Sequence, residues 1–347
     1  MPETRYHIFE RNFEEIRQAL LDSGEPDYRA SQIWRGLYKS FYQTPEEFSS
    51  LPKKIRDYLG QNFLFSTLAA QDEISTDKGE TTKVLFHTLD GNPIEAVLMR
   101  YHDRNSLCLS TQSGCLVGCV FCATGKMGFH RNLTAGEMVE QVLWAINQLK
   151  IDNQSLTNLI FMGMGEPFLN YDNVMKAIHI LNHSDGLNFG ARRMTISTAG
   201  VIPAIQRFIL EKSQVNLSIS LHAGTDPLRS SLVPLNKKYP LPDLISVCRE
   251  YTIVSHRRIT FEYVLIENIN DYPTQAHNLA ALLKCLLCHV NIIPLNPFPG
   301  AEWKGSPRQN VDQFVSILKS KGIPCTVRLS RGAEIQAGCG QLAGRSH

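Results

Sequence analysis

The sequence predicts an α/β protein: an incomplete (β/α)6 barrel behind a small N-terminal helical domain and a β-hairpin connector. Three observations carry that prediction. From Leu107 onward, short β-rich runs alternate with amphipathic stretches, which implies parallel strands joined by right-handed crossovers. Residues 81–100 read as two strands, TKVLFHTL and PIEAVLMR, around the turn Asp90-Gly91-Asn92. Three cysteines crowd the loop directly after the first barrel strand. A chain of 347 residues with 43% hydrophobic content is long enough for one large domain and an accessory.

The first unit spans 1–63. Phe13, Ile16 and Leu20 form an apolar stripe that stops at Gly24, and Ile33 and Leu37, with Trp34, Tyr38 and Phe41, form a second. Thr44-Pro45-Glu46-Glu47 signals the start of a third helix. Between Tyr28 and Gly60, Arg29, Arg35, Lys39, Lys53, Lys54 and Arg56 face only Glu46, Glu47 and Asp57. That local basicity suits RNA contact and a solvated helical surface equally. Residues 64–100 form the connector and 101–347 the barrel. Barrel strands are expected at 107–110, 158–162, 193–197, 215–221, 259–266, 289–295 and 325–329, six or seven units in succession. The clearest helix, Thr134 to Leu149, opens with a capping box of Thr134 and Glu137.

No apolar run reaches the roughly 18 residues of a spanning helix. The start, MPETRYHIFERNFEEIR, has no apolar signal core, so a cytosolic protein is expected. In that compartment nine cysteines point to metal binding or chemistry rather than a disulfide scaffold. The net charge of +2 excludes no partner, because local patches govern nucleic-acid binding.

The chemistry concentrates in SGCLVGCVFCATGKMGF, where Cys115, Cys119 and Cys122 form C-x3-C-x2-C among Gly114, Gly118, Gly125 and Gly128. Four thiolates complete a [4Fe–4S] cluster or a structural zinc. Three leave one iron without a protein ligand, free to bind an external one. Ligands of a parallel barrel collect at the C-terminal strand ends. There the sequence offers Gly163-Met164-Gly165-Glu166-Pro167, Ser197, Ser220-Leu221-His222 and Asn296-Pro297. Singly these are turn residues; together they outline one mouth. Cys339 lies between glycines near the C-terminal end, and Cys108 sits in the first barrel strand. On position alone, the former is a stray thiol, the latter a buried apolar cysteine, and Glu95 an outward-facing strand carboxylate. Cys285 and Cys288, in LAALLKCLLCHVNII, read as packing cysteines of a buried helix that enters a strand.

The cysteine spacing, with Phe121 before Cys122, resembles that of the radical S-adenosylmethionine enzymes. Over almost the whole chain, from YRASQIWRGLY to the tail, the sequence resembles the RlmN family of RNA methyltransferases. The segments carrying the likeness are CLVGCVFCATGKMGFHRNLTAGEMVEQV, FMGMGEPFLN, SISLHAGTDPLRSSLVPLNKKYP, NIIPLNPFPG and AGCGQLAG. The tail departs from the family's AAC by reading AGC. The resemblance implies a barrel of the radical S-adenosylmethionine type and methylation of adenosine C2 in 23S ribosomal RNA and tRNA. It implies one [4Fe–4S] cluster on Cys115, Cys119 and Cys122, two S-adenosylmethionine molecules per turnover, a flavodoxin-type electron donor and a monomer.

Adenine C2 is electron-poor and cannot attack a sulfonium methyl, so a cysteine takes the methyl first. The resemblance gives that role to Cys339. A 5′-deoxyadenosyl radical then activates the methylated cysteine, whose carbon adds to C2. The resemblance also makes Cys108 the thiol that releases the tether by pairing with Cys339, and Glu95 the proton acceptor. Cofactor contacts fall to Gly165, Glu166, Ser197, Ser220, Leu221, His222 and Asn296. Lys126, Arg131, Arg192, Arg193, Lys237 and Lys238 are candidates for RNA backbone contact, with Lys304, Arg308, Lys319, Lys321, Arg328, Arg331 and Arg345 beyond them. Three rivals remain at this point, two of them the sister family that methylates adenosine C8 and a non-catalytic iron–sulfur protein that binds RNA or senses redox state. A third is an enzyme that plants a radical on a partner protein.

Overall fold

The computed structural model describes residues 5–76, 78–328 and 331–344. Its first unit is helical. Asn12 accepts from the Glu15 amide while Glu15 closes back on the Asn12 amide, starting α1 (Phe13–Asp22). Helix α2 (Tyr28–Arg35) runs into a wide turn, Gly36–Ser40, that ends at Phe41 with φ 62°. The third helix starts later than expected. Glu47 accepts from the Thr44 amide at 2.9 Å, but only one 3₁₀ turn forms over Pro45–Glu47. Phe48 then turns into the core. Pro52, which lacks an amide and keeps Leu51 from the helical region, delays α3 to Lys53–Asn62. Strand β1 (Tyr6–His7) pairs with β2 (Phe63–Leu64), tying the two ends of the unit together.

The remaining strands, in chain order, are β3 (Leu68–Ser75), β4 (Thr81–Thr88), β5 (Pro93–Arg100), β6 (Asn105–Cys108), β7 (Gln112–Gly114) and β8 (Phe129–Asn132). They continue with β9 (Asn158–Phe161), β10 (Met194–Thr198), β11 (Asn216–Ser220), β12 (Ile259–Leu265), β13 (Cys288–Pro294) and β14 (Cys325–Val327). Strands β7 and β8 form a separate ribbon; the others form one sheet in the order β14-β13-β12-β11-β10-β9-β6-β5-β4-β3. From β6 to β14 every pair is parallel, as the alternating pattern predicts. Helices α5 (Ala135–Lys150), α6 (Tyr171–Asn182), α7 (Ile202–Leu210), α9 (Leu241–Ser255), α10 (Pro273–Leu282) and α11 (Arg308–Ser320) supply the crossovers. Two shorter helices, α4 (Ala123–Met127) and α8 (Asp226–Leu232), follow the cysteine loop and β11. Thr134 and Glu137 cap α5 reciprocally, as their spacing predicts. Residue 329 of the last expected strand, and Arg345, lie outside the described residues.

Further features differ from the sequence reading. The hairpin β4–β5 belongs to the barrel sheet, because β5 pairs antiparallel with β6. An extra strand, β3, pairs with β4; its polar sequence hides it, because it is an edge largely open to solvent. Nor does Cys285 pack in a buried helix. Helix α10 ends at Leu282, and Cys285 lies exposed in the following turn at φ 61°, while Cys288 is buried at the start of β13. No helix of the described residues is long and apolar enough to cross a membrane.

The helical unit docks on α5 through Glu140. Its carboxylate accepts from the Thr67 amide (2.7 Å) and from the hydroxyls of Thr67 (2.6 Å) and Ser66 (2.8 Å), with His7 Nε2 2.9 Å away. Burial raises the Glu140 pKa, but His7 and these donors outweigh it and hold the carboxyl below its usual range. Gly136, one turn earlier, permits the approach: a Cβ there would lie 2.1 Å from His7 Nδ1. Replacing Glu140 by Leu is therefore expected to destabilise the protein by about 2–4 kcal/mol in urea unfolding. It should also expose residues 62–66 to protease; unchanged stability would contradict this docking.

Candidate active site

The cysteine loop leaves β7 and is folded by its glycines. The Cys115 amide donates to the Gly128 carbonyl (2.8 Å) and the Cys122 amide to the Cys119 carbonyl (3.1 Å). Gly114 holds φ 73°, and a Cβ on it would sit 1.9 Å from the Gly128 oxygen. Gly125 lets α4 press onto the loop, since a Cβ there would meet the Cys119 oxygen at 2.8 Å. The three thiols are partly buried and feel one another electrostatically. Burial pushes the Cys115 thiol up to about 12, and burial followed by the charges of Cys122 and Cys115 raises Cys119. Among the described residues no three His, Cys, Asp or Glu side chains converge on a preformed single-ion site. Three thiols on a glycine-wrapped loop do fit an iron–sulfur cluster, which brings its own sulfide and keeps its thiolates deprotonated.

Around this loop the strand ends are stitched together. Ser197 and Ser220 approach Oγ to Oγ at 3.3 Å across β10 and β11. Leu221 is fully buried and its amide donates to the Glu262 carbonyl (3.0 Å). His222, at φ 62°, accepts the Val264 amide at Nδ1 (3.1 Å) and sets its ring edge-on to Phe121 of the cysteine loop, 4.9 Å away. Burial, and then the Arg229 charge, push its pKa down to about 3, so it is a neutral imidazole. Glu166 spends its carboxylate on the amides of Phe168 (3.0 Å) and Ala199 (2.7 Å), and burial raises its pKa. Glu166 and His222 thus brace the loops around the site with their side chains. Gly165, at φ 101°, passes so close to Gln112 that a Cβ would lie 2.5 Å from the glutamine Cβ.

The C-terminal tail crosses this mouth. The Ala123 amide donates to Gly340 (2.8 Å) and the Thr124 hydroxyl to Leu342 (2.6 Å), seating the tail against α4. Gln341 donates to the Pro297 carbonyl (2.7 Å) and accepts the Gly338 amide (2.8 Å). Asn296 reaches the Cys339 carbonyl at 3.4 Å. Cys339 is thereby delivered into a cavity of about 170 Å³ that Cys108, Cys122, Met162, Asn296 and Arg328 also line. Ile160, Met162 and Arg328 also border a larger lumen of about 700 Å³. Cys339 keeps open surface of its own and lines the smaller cavity. Burial, and next the Glu262 charge, raise its pKa while Arg328 opposes them. Burial and then the neighbouring Cys339 raise Cys108. Cys108 therefore lines the cavity as well as packing against the core. Both thiols are free, so the expected pairing is not a standing disulfide.

Glu95 also departs from its position-based reading. It points inward, 1% exposed, with Oε1 3.0 Å from the buried Lys83 ammonium. Its Oε2 accepts the amides of Ala343 (2.7 Å) and Gly344 (3.0 Å). Sequence reasoning missed two residues outright. Arg229 is completely buried and donates to the carbonyls of Ala199, Ser220 and Leu221 and to Asn236 Oδ1; burial pushes its pKa down to about 10. Its signal was an arginine just after the strand-end HAG turn. Lys83 was the one lysine inside a strand, Thr81–Thr88, that holds no other Lys, Arg, Asp or Glu.

The Radical SAM superfamily matches residues 109–277, from the end of β6 into α10. A protein of Chloroflexus aurantiacus named "Probable dual-specificity RNA methyltransferase RlmN" is 46% identical over 97% of this chain and 93% of its own. A Bacillus cereus protein of the same name is 44% identical over 96% and 92%. The crystal structure of a radical SAM methyltransferase from Sphaerobacter thermophilus superposes with a TM-score of 0.96. It shares 48% identity and covers 98% of this chain and 100% of that one.

The loop geometry makes a direct test. Gly114→Ala is expected to bind several-fold less iron on anaerobic reconstitution, with far-UV circular dichroism unchanged. Full iron loading in that variant would contradict the role given to the loop.

Proposed function

Because the chain belongs to the RlmN family of radical S-adenosylmethionine RNA methyltransferases, we propose that it methylates C2 of an adenosine in 23S ribosomal RNA and tRNA through a methyl group first carried on Cys339. The observation that carries this reading is the meeting of Cys339, Cys108 and Cys122 in one cavity at the mouth of the barrel. Cys115, Cys119 and Cys122 would hold the [4Fe–4S] cluster, beside the strand-end residues Gly165, Ser197, Ser220 and Asn296. When bound, the cluster and S-adenosylmethionine supply an electron, a methyl group and a 5′-deoxyadenosyl radical, with two S-adenosylmethionine molecules consumed per turnover.

The chain's own residues do the rest. Cys339 must give up its proton to become a nucleophile, and Arg328 opposes the burial that resists this. The tail's hydrogen bonds to Ala123, Thr124 and Pro297 hold the sulfur in one place. Cys108, which lines the same cavity, frees the product by attacking the Cys339 sulfur: an S–S bond forms, the sulfur–methylene bond breaks with its electron pair, the methylene carbon takes up a proton to become the methyl group, and an external thiol reductant restores both cysteines. Glu95, which the resemblance makes the proton acceptor for C2, would have to part its Oε2 from the amides of Ala343 and Gly344 to serve as that base. Leu221, Glu166 and His222 set the strand-end turns around the cofactor. The basic N-terminal unit, with Lys126, Arg192 and Arg193, contacts the RNA backbone and favours a loop nucleotide that can be splayed out. We place the enzyme in the cytosol, as a monomer served by a flavodoxin-type donor.

The test is anaerobic reconstitution with iron and sulfide, then mass spectrometry of nucleosides from ribosomal RNA and tRNA. 2-Methyladenosine is expected, and 8-methyladenosine alone would overturn the reading. Cys339→Ala should yield no product. Cys108→Ala should stop after attachment, leaving protein crosslinked to RNA; free turnover by that variant would contradict the resolving role. Cys119→Ala should lose the brown cluster colour.

A further inference from the structure

A single buried ion pair holds both feet of the loop that presents Cys339. Lys83 and Glu95 sit on neighbouring strands, at diagonal positions of the β4–β5 pair: Leu85 pairs with Glu95 and Lys83 with Val97. Their side chains are 5% and 1% exposed. Beyond its partner, the ammonium reaches the Gln336 carbonyl (3.4 Å), three residues before Cys339. The carboxylate takes the amides of Ala343 (2.7 Å) and Gly344 (3.0 Å), four and five residues after it. Apart from the ion pair itself, every one of these contacts goes to the tail. A buried pair of charges is rarely worth more than apolar side chains of the same size, so fold stability alone does not account for it.

We propose that Lys83 is a positioning residue. It fixes the Glu95 carboxylate and, with it, clasps the segment 336–344 so that Cys339 faces Cys108 across the cavity. Between the two anchored feet the chain must turn back, and it does so at Gln336 (φ 53°) and Gly340 (φ 83°). Lys83 touches neither thiol; it acts through Glu95 and the tail backbone. The inference rests on the reading of Cys339 as the methyl-carrying thiol, but it is tested without RNA.

The experiment compares alkylation of Cys339 by iodoacetamide with that of Cys285, an exposed thiol on a distant turn, in the reconstituted full chain. Peptide mass spectrometry reads both in the same molecule. Both thiols carry open surface in the parent; Lys83→Met should keep its iron, while the Cys339:Cys285 ratio moves by about tenfold as the surroundings of Cys339 come apart. Lys83→Arg, which keeps the charge, should fall between it and the parent. With RNA, Lys83→Met should lose about 10–100-fold in kcat with KM for RNA nearly unchanged. An unchanged alkylation ratio in iron-loaded Lys83→Met would overturn the clasp, because a purely structural role moves the melting point and not this ratio. Should Lys83→Met fail to fold, Glu95→Gln, which is the same size, decides by the same ratio. Absence of 2-methyladenosine from the parent enzyme would sink the functional reading instead, and leaves the alkylation result to stand by itself.

Discussion

A parallel barrel that stops before closing leaves a lumen that something else must complete. In this protein the sheet ends in the three-residue β14 on one side and turns antiparallel through β5 and β4 on the other. The C-terminal tail spans the opening. It is bound at one edge by Lys83 and Glu95, at the cysteine loop by Ala123 and Thr124, and at the β13 end by Pro297 and Asn296. Closure of the barrel and delivery of the reactive thiol are thus one structural event. Whatever loosens the tail also removes Cys339 from its partners.

Burial dominates the electrostatics of the interior. It raises the thiols of Cys108, Cys115, Cys119 and Cys339 and the carboxyls of Glu166 and Glu262. Such a site disfavours free charge and rewards charge that is paired or bound to metal. Arg229 is the counterweight: it ties three strand-end carbonyls together and places one positive charge behind the cysteine loop. Phe121 against His222 then couples that loop to β11 and β12. These contacts fix the cysteine loop against the strand ends.

Much of this was legible beforehand because its signals are local. The cysteine spacing, the capping box at Thr134 and Glu137, and the alternation that yields β9 to β13 each need only a short window of sequence. What was not legible depends on contacts between distant segments. Glu95 looked like a surface carboxylate because nothing nearby reveals that residues 343 and 344 will cover it. Lys83 is explained only by strand register, and Arg229 only by the carbonyls of two separate segments, at Ala199 and at Ser220–Leu221. Strand β3 escaped notice because an edge open to solvent has no apolar alternation to show. The TPEE signal was genuine but short-lived, since Phe48 and Pro52 outweigh it.

The claim on which the account turns is that Cys339, and no other thiol, carries the methyl group inside the lumen. The most direct measurement is peptide mass spectrometry after incubating the reconstituted protein with S-adenosylmethionine labelled in its methyl group, with RNA withheld. The account predicts the label on Cys339, absent from Cys108, Cys248, Cys285, Cys288 and Cys325. Label on any of those thiols, or none on Cys339 in protein that carries its full iron, would contradict it.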